Sequence, residues 1–309
     1  MDNLCHTLVG AAFGEAGLKR RTALGNATLM IASNLPDLDV LVFATDTPSV
    51  SFRRGWTHGI VGQALLPLVL TAAMVLVSRV RRRSVGRQPA HAGWILALSY
   101  MGVGAHVLLD LLNNYGVRLL TPFSWRWFYG DSVFIIDPWL WLVLGIGIGI
   151  ARWRQRVQPA RRAIVIAVVY IALMVASARV ARTIVIDAWR AAHGRDPVSV
   201  MVAPQPVTPL DRAVIIDAGD HYESGTFSWW PRHVIFDRAV VAKNADRPEV
   251  ARARDARNIA AFVVWSRFPF WTVEPAPGGS LVTVADMRFM AVGRRFAASA
   301  VVAADSSSR

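Results

Sequence analysis

The chain has 309 residues, of which 54% are hydrophobic and 18% charged, and its formal net charge is +13. This apolar fraction, together with 12 Trp, excludes intrinsic disorder. The single cysteine, Cys5, excludes a disulfide scaffold and a zinc site built from thiolates. The basic excess lies mainly in residues 1–181, which hold 18 basic and 8 acidic side chains, whereas residues 182–309 hold 16 and 13.

Two short apolar segments open the chain, Leu4–Leu18 and Thr22–Leu35. As helices, 14 or 15 residues reach only about 21 to 23 Å, whereas the hydrocarbon core of a membrane is about 30 Å thick. We therefore expect a re-entrant or partly buried helical hairpin that turns at Lys19, Arg20 and Arg21.

Four longer apolar segments follow, each of 19 to 21 residues. This length is enough to cross the hydrocarbon core, so four transmembrane helices are predicted. Their bounds are Ile60–Ser78, Ala92–Leu112, Val133–Ala151 and Ala163–Ala181. Glycines alternate in the third of them and indicate close helix packing, at Gly145, Gly147 and Gly149.

Basic residues predict the orientation of this bundle. They cluster at residues 19–21, 79–87 and 152–162, and these turns alternate along the chain with turns that carry few of them. Because short cytoplasmic loops carry the Lys and Arg excess, the basic turns are placed in the cytoplasm and the C-terminal part outside. Topology then accounts for most of the positive charge, and no nucleic-acid partner is expected.

Residues 182–309 are predicted to form a small α+β extracytoplasmic domain, after a membrane domain of residues 1–181. Alternating or β-branched runs predict strands at Ala213–Asp217, His233–Ala242, Pro269–Val273 and Leu281–Met290. The other predicted features are a helix at Arg247–Trp265, a proline-rich linker at Pro197–Pro209 and a disordered tail at Ala303–Arg309. The fold class is thus an α-helical membrane bundle of four transmembrane helices and an N-terminal hairpin, followed by this domain.

One polar group of the outer domain has the composition of a metal site, namely His221, Glu223 and His233. Their setting in a strand, a turn and a second strand favours ordinary surface side chains over metal ligands.

Histidines and carboxylates lie at the ends of the apolar segments that point away from the basic clusters. They are His6, Asp37, Asp39, His58, His106, Asp110 and Asp137. Polar groups at membrane depth are costly and usually functional, and a mixture of imidazole and carboxylate is typical of zinc. The pattern therefore predicts a site for a divalent metal, with zinc favoured.

Sequence spacing narrows this prediction. His106 and Asp110 are four residues apart on a predicted helix, so both side chains project from one face. Pro36 ends the preceding helix and is followed by Asp37 and Asp39. Each motif has an ordinary alternative, because the first pair can be a simple hydrogen bond and the two aspartates can cap the next helix.

Arginines accompany the candidate site. Arg53 and Arg54 stand beside His58, and Arg126 lies between two tryptophans. A guanidinium binds phosphate or carboxylate in a bidentate manner, but contact with lipid headgroups explains these arginines equally well. Aromatic residues predict an interfacial belt at Trp125, Trp127, Phe128, Trp139 and Trp141.

These residues resemble the YdjM-type inner-membrane proteins, a family regarded as metal-dependent hydrolases. The resemblance covers roughly residues 1–181 and depends on five elements in order: His6, the turn Pro36–Asp39, the box Arg54–His58, the helix His106–Asp110 and Asp137-Pro138-Trp139. Gly59 departs from the family pattern, in which serine usually follows the box. This change is expected to alter a hydrogen bond around the site without removing a ligand.

The order of the ligands is also similar to the first half of the series in zinc-dependent phospholipases C and single-strand nucleases. That likeness implies that Asp37, His58, His106 and Asp110 hold one zinc ion, with Asp110 bridging toward a second ion near His6. The later histidines of those enzymes have no counterpart between His106 and His193. A second ion would need ligands from Asp131, Asp137 or Asn114.

The sequence therefore predicts a multi-pass inner-membrane hydrolase whose metal site opens to the extracytoplasmic interface. Its expected metal ligands are His6, Asp37, His58, His106, Asp110 and Asp137, and its expected catalytic residues are Asp39 and Arg54. Membrane lipids are the expected surroundings, and a phosphoester or other ester, lipid-linked for instance, is the expected substrate. The alternative is a non-catalytic membrane scaffold with a structural metal or polar core and a partner-binding outer domain.

Overall fold

The computed structural model of the chain describes residues 1–85 and 90–303, without the side chains of 82–85 and 291–295. These residues fold as two units. The first comprises Met1–Leu41, Arg53–Arg179 and Ala203–Pro209, and the second comprises Val42–Phe52, Val180–Val202 and Leu210–Arg309. The domain boundary predicted between residues 181 and 182 falls inside a continuous helix and stays a prediction.

In the described part of the chain, seven α-helices precede the strands. They are α1 (Asn3–Glu15), α2 (Gly25–Ala32), α3 (Ser49–Phe52), α4 (Ile60–Val85), α5 (Ala92–Leu111), α6 (Pro138–Trp153) and α7 (Gln158–His193). Two 3₁₀ segments, Leu18–Arg20 and Leu35–Ala44, stand among them.

The predicted N-terminal hairpin is confirmed. Helices α1 and α2 have 13 and 8 residues, and the Leu18–Arg20 turn joins them at the basic cluster. Asn34, just after α2, donates its Nδ2 to Thr7 Oγ1 of α1 at 2.9 Å. This bond fixes the end of the hairpin from which the Leu35–Ala44 segment leaves.

Among the residues that the structure describes, three helices are long and apolar enough to cross a membrane, within Ile60–Arg81, Ala92–Leu111 and Gln158–His193. The bent pair Gly25–Ala32 and Leu35–Ala44 gives a fourth if it counts as one span. The span predicted at Val133–Ala151 is shorter than expected. Its helix, α6, begins only at Pro138 because Asp137 caps it there, and it has 16 residues, which is about 24 Å of helix.

Only one glycine of the alternating run in α6 serves close packing. A Cβ placed on Gly147 would lie 2.2 Å from Ala163 Cβ of α7, whereas one on Gly145 or Gly149 would meet nothing within 4 Å. Gly147 therefore lets α6 and α7 approach, and the other two face away from such contacts.

Two of the three basic turns meet at one end of the first unit. Glu15, at the end of α1, pairs with Lys19 and accepts from Arg152 Nε at 2.8 Å. Arg161 Nε donates to the Ala16 carbonyl at 2.9 Å. The turns at residues 19–21 and 152–162 therefore share an end, as the positive-inside argument requires. Of the third cluster, residue 87 and the side chains of residues 82 and 83 lie outside the described part.

Within the described residues the strands form two sheets, one of order β1-β2-β3-β4 and one of order β5-β6-β7, and pairing is antiparallel from β2 to β4 and from β5 to β7. The strands are β1 (Ser199–Pro204), β2 (Asp211–Asp217), β3 (His221–Trp229), β4 (Arg232–Ala242), β5 (Pro269–Ala276), β6 (Gly279–Asp286) and β7 (Ala297–Ala303). Trp189 from the C-terminal part of α7 is buried against Val214 and Phe227 of the first sheet.

Several local predictions for the second unit need correction. Strand β1 (Ser199–Pro204) lies within the predicted linker Pro197–Pro209, because Val200–Val202 is apolar enough to be buried. The helix predicted at Arg247–Trp265 is two helices, α8 (Pro248–Ala253) and α9 (Arg257–Trp265). Residues Met287–Phe296, predicted in part as strand, are 3₁₀-helical. The predicted disordered tail begins inside β7 at Ala303, and residues 304–309 lie outside the described residues.

Candidate metal centre

Three separate elements of the first unit position these candidate ligands. Helix α5 carries His106 and Asp110 one turn apart on its buried face. The 3₁₀ segment Leu35–Ala44 carries Asp37 and Asp39, and the turn before α4 carries His58. Arg54 in that turn has a left-handed backbone, with φ of 54°.

The structure brings together four of the six predicted metal ligands. One ligand atom each from Asp37, His58, His106 and Asp110 lies within 4.8 Å of the others, and all four side chains are buried. Asp110 Oδ2 is 3.2 Å from His58 Nε2 and 3.4 Å from His106 Nε2. The two Nε2 atoms are 3.2 Å apart, and Asp37 Oδ1 is 3.9 Å from His106 Nε2. These residues form a buried group that can hold a metal ion.

Hydrogen bonds around the histidines orient them as ligands. His106 Nδ1 lies 2.7 Å from the Ser33 carbonyl oxygen, so Nδ1 carries the proton and Nε2 presents a lone pair. That lone pair faces two carboxylate oxygens, and such contacts between acceptors repel unless a cation lies between them. This pattern, in which the outer nitrogen donates to an oxygen and the inner one is available, is typical of metal-bound histidine.

His58 has comparable surroundings. Its Nδ1 is 3.0 Å from Thr57 Oγ1 and 3.6 Å from Asp39 Oδ2, both able to accept its proton. Burial lowers the pKa of His58 well below its usual range, so the ring is neutral at pH 7. Its Nε2 can therefore act as a ligand.

His6 of α1 completes the group on one side. Its ring stacks on His106 with centroids 3.7 Å apart, and its Nε2 lies 3.5 Å from Asp110 Oδ1. Among the described residues neither ring nitrogen of His6 finds a hydrogen-bond partner, although the side chain is fully buried. A buried nitrogen pair of this kind costs free energy unless an ion or proton satisfies it. The donor set therefore fits a metal ion.

The two predicted catalytic residues contact the ligands. Asp39 Oδ2 accepts from the Arg54 backbone N at 2.7 Å and from Thr57 Oγ1 at 3.3 Å, and its Oδ1 accepts from Arg53 Nε at 3.2 Å. Arg54 donates to Asp110 Oδ1 at 3.1 Å. Burial lowers the pKa of Arg54 to about 10, which leaves it charged at neutral pH. Both residues hold ligands in place.

Other partners of Asp110 were missed by the sequence reasoning. Asn113 Nδ2 donates to Asp110 Oδ1 at 3.5 Å and its Oδ1 accepts from Arg54 Nη1 at 3.2 Å, and the Met1 amino group contacts Asp110 Oδ1. Asn113 follows the ligand helix directly in sequence, which is a usable signal. The backbone carbonyl of Ser33 and the amine of Met1 have no side-chain signal at all.

Asp137 serves as a helix cap in the structure, and its assignment as a metal ligand stays a prediction. Its Oδ1 accepts from the backbone N of Trp139 and Leu140, each at 3.0 Å, and its Oδ2 accepts from Tyr170 OH at 2.8 Å. These bonds make Asp137 the N-cap of α6. It is not a member of the four-residue group, and neither is Asp131.

Close contact with Thr121 explains why residue 59 is a glycine. A Cβ at this position would lie 2.6 Å from the Thr121 carbonyl oxygen and 2.8 Å from Thr121 Cβ. A serine there would force the turn and the residues around Thr121 apart. The structure thus gives a steric reason for glycine at position 59. The altered hydrogen bond expected there from the family pattern stays a prediction.

The structure gives the partners of Arg53 and Arg126, the other two arginines predicted near the site. Arg53 binds Asp39 and Asp37, and although burial opposes it, the Asp39 carboxylate raises the pKa of Arg53 above its usual value. Arg126 lies over the Phe128 ring, 5.6 Å from its centroid.

The lone cysteine, Cys5, is buried in the apolar core of the first unit.

Together, the fold and the site define a helical membrane protein with a buried Asp-His-His-Asp group that can hold a metal ion. Residues 1–185 match the family described as YdjM inner membrane protein. This is more than half of the chain, and the chain belongs to that family.

A curated relative is similar over a shorter stretch. The uncharacterized protein YfhP of Bacillus subtilis (strain 168) is 26% identical over 149 residues, which are 45% of this chain and 43% of the relative. The match thus spans less than half of that protein's length. No solved structure matches the chain.

Proposed function

We propose that this protein is a membrane-bound metal-dependent hydrolase that acts on a phosphoester or another ester at the extracytoplasmic interface. The observation that carries the proposal is the orientation of His106. Its Nδ1 is held by the Ser33 carbonyl, and its Nε2 faces Asp37, His58 and Asp110.

Asp37, His58, His106 and Asp110 would hold the ion, with His6 as a further ligand. Two imidazoles and two carboxylates favour zinc among the common metals. A bound divalent ion supplies Lewis acidity toward a phosphoryl or carbonyl oxygen, and an activated water nucleophile at neutral pH.

The other residues of the site act through the ligands. Arg54 fixes the Asp110 carboxylate and offsets its negative charge. Asp39 fixes the turn that carries His58, because it binds the backbone N of Arg54 and the hydroxyl of Thr57. Asp39 and Arg54 thus enter the proposal as positioning residues, since their polar atoms are engaged with protein groups.

The place of the site in the bundle supports an interfacial substrate. His6 precedes Glu15 by nine residues on α1, which is about 13 Å of helix, so the site lies well away from the end where basic turns gather. Exposed aromatic side chains belong to its surrounding turns, at Trp56, Phe123 and Trp125. Such residues prefer the headgroup layer, where a phosphoester of a lipid or a lipid-linked molecule is found.

A non-catalytic membrane scaffold is the second candidate, and one observation favours it. The side chains of His58, His106 and Asp110 are fully buried. Structural metal sites are closed, whereas catalytic ones keep a position open for water or substrate. On this alternative the polar group is a structural metal site or hydrogen-bonded core.

Hydrolysis separates the two candidates. The purified protein in detergent, stripped with chelator and reloaded with Zn²⁺, is expected to hydrolyse a p-nitrophenyl phosphomonoester or phosphodiester. His106→Gln should reduce the rate to background, because it removes a ligand and leaves the helix intact. His233→Gln, at a half-buried position of the second unit, should leave it unchanged. A zinc-loaded wild-type protein with no activity toward either ester, or toward a phospholipid, would favour the scaffold.

Topology is tested independently. Reporter fusions after Arg83 and after Arg195 are expected to report cytoplasm and exterior, respectively, because the basic turns stay inside. A cytoplasmic signal from the Arg195 fusion would contradict a site that opens to the extracytoplasmic interface.

A further inference from the structure

A groove runs between α6 and α7 on the surface of the first unit. It encloses a cavity of about 530 Å³ whose walls are mainly aliphatic. Leu142 and Ile146 of α6 and Ile166 of α7 belong to these walls and are more than half exposed. In a helical membrane bundle, apolar side chains that protein does not cover face lipid chains. The groove is therefore a surface that lipid can occupy.

Small residues form the floor of this groove. A Cβ on Gly147 would lie 2.2 Å from Ala163 Cβ and 3.2 Å from the Pro159 carbonyl oxygen. All three residues line the cavity. The helices approach closely at this point because neither carries a large side chain there. The larger aliphatic residues then stand on both sides of the contact and leave a trough between them.

Two arginines lie at one end of the groove. Arg154 follows the last residue of α6, Arg162 lies in the second turn of α7, and both line the cavity with exposed side chains. Arg152, from the same turn, pairs instead with Glu15 on another side of the bundle. Within the described part of the chain, no carboxylate pairs with Arg154 or Arg162. This end of the groove thus offers two guanidinium groups to an anion.

The length of the groove suits a lipid chain. Trp139 lines the end opposite the arginines, 15 positions before Arg154, which is about 22 Å of helix. One leaflet is about half of a hydrocarbon core of about 30 Å. A second cavity of about 300 Å³ adjoins the first and shares Trp139, Val143 and Ile166 with it. An acyl chain that begins at the arginines therefore finds apolar walls over the whole depth of a leaflet.

From this groove we infer a binding site for one anionic phospholipid. Its phosphate headgroup lies at Arg154 and Arg162, and one acyl chain extends past Gly147 toward Trp139. Charge complementarity selects this occupant, because basic pockets between membrane helices bind anionic headgroups and a guanidinium binds phosphate in a bidentate manner. The site is separate from the Asp-His-His-Asp group and does not depend on the hydrolase proposal.

Native mass spectrometry of the delipidated full chain in detergent tests this inference. Phosphatidylglycerol and phosphatidylcholine with identical acyl chains are titrated separately, and the fraction of protein with one bound lipid gives the affinity. The wild type is expected to bind phosphatidylglycerol more tightly. Arg154→Gln/Arg162→Gln should weaken that binding about 30-fold, because each arginine near an anionic lipid surface contributes about a fivefold factor in affinity.

Two further variants separate the headgroup from the chain. Arg156→Gln is the matched control, because Arg156 is exposed in the same turn but is not among the described residues that line the groove. It should bind phosphatidylglycerol as the wild type does. Ile146→Trp keeps both arginines and fills the groove at an exposed position, so it should weaken the binding of both lipids.

Thermal unfolding without added lipid shows whether each variant is folded, and Arg162→Gln replaces the double variant if that protein unfolds. A folded arginine variant that binds phosphatidylglycerol as tightly as the wild type would overturn the site. A wild type with equal affinity for the two lipids would do the same, and so would an equal loss in Arg156→Gln, which would indicate general attraction by positive charge. Unchanged binding by Ile146→Trp would overturn the placement of the chain.

Discussion

Replacing Asp110 with alanine is expected to abolish metal binding in the first unit and to destabilise the protein by about 3 to 5 kcal/mol. The carboxylate is fully buried and lies between His58, His106, Arg54 and the Met1 amine. Its removal leaves the buried guanidinium of Arg54 without its partner carboxylate, and an uncompensated buried charge costs about this much. Unfolding in detergent and zinc content of the purified protein measure the two effects.

Two variants act as controls for Asp110→Ala. Asp110→Asn keeps the shape and one acceptor for Arg54, so it should lose zinc affinity with a smaller loss of stability. Asp137→Ala removes the cap of α6, which costs about 0.5 to 2 kcal/mol, and should retain zinc. If Asp110→Ala is as stable as the wild type, the Arg54 pair does not stabilise the fold and the account of this ion pair is wrong.

Asp39→Asn is expected to weaken zinc binding about 10- to 100-fold while the four ligands remain. Asp39 touches the Arg54 backbone at 2.7 Å and lies 3.6 Å from His58 Nδ1. The amide replaces one carboxylate oxygen with an NH2 donor and removes the negative charge that supports this ring, and substitutions of such supporting residues reduce metal affinity by this factor. A competition titration with a chromogenic chelator gives the affinity.

Asp46→Asn is the matched control, because Asp46 is an exposed aspartate seven residues further along the chain. It should leave the zinc affinity unchanged. Equal affinities for Asp39→Asn and wild type would show that Asp39 does not support His58 and would return it to a role in local folding alone.

Local sequence patterns predicted much of the first unit. The lengths of the apolar segments located α4 and α5, and the basic turn at Lys19 located the hairpin. The i,i+4 spacing of His106 and Asp110 placed both on one face, because the helical period decides this without tertiary information. The Arg54–His58 box was recognisable because its residues are contiguous.

Other features depend on contacts that spacing does not encode. Asp137 occurs in an Asp-Pro motif that fits a ligand and a helix cap equally well in sequence, and only the bonds to Trp139 and Leu140 show that it caps α6. The Ser33 carbonyl that fixes His106 belongs to the backbone. His193 Nε2 lies 3.3 Å from Glu223 Oε1. The sequence gives no sign of this contact, because 30 residues and two strands separate the two side chains.

Some errors in the second unit have a common physical origin. Proline residues suggested a linker around Pro197–Pro209, yet prolines are tolerated at strand ends, and β1 ends at Pro204. The strand predicted up to Met290 ends at Asp286, whose carboxylate caps the next 3₁₀ turn by accepting from Arg288 N at 2.9 Å. In both places a tertiary or capping contact, rather than the local sequence propensity, decides the structure.

The most direct test of the metal centre is the zinc stoichiometry of the wild-type protein and of a His58→Gln/His106→Gln double variant, measured after purification in detergent. The double variant keeps the size and polarity of both side chains but removes two of the four ligands. It is expected to bind one zinc equivalent fewer than the wild type while unfolding as a native protein does. Equal zinc content in a folded double variant would contradict a metal centre at Asp37, His58, His106 and Asp110.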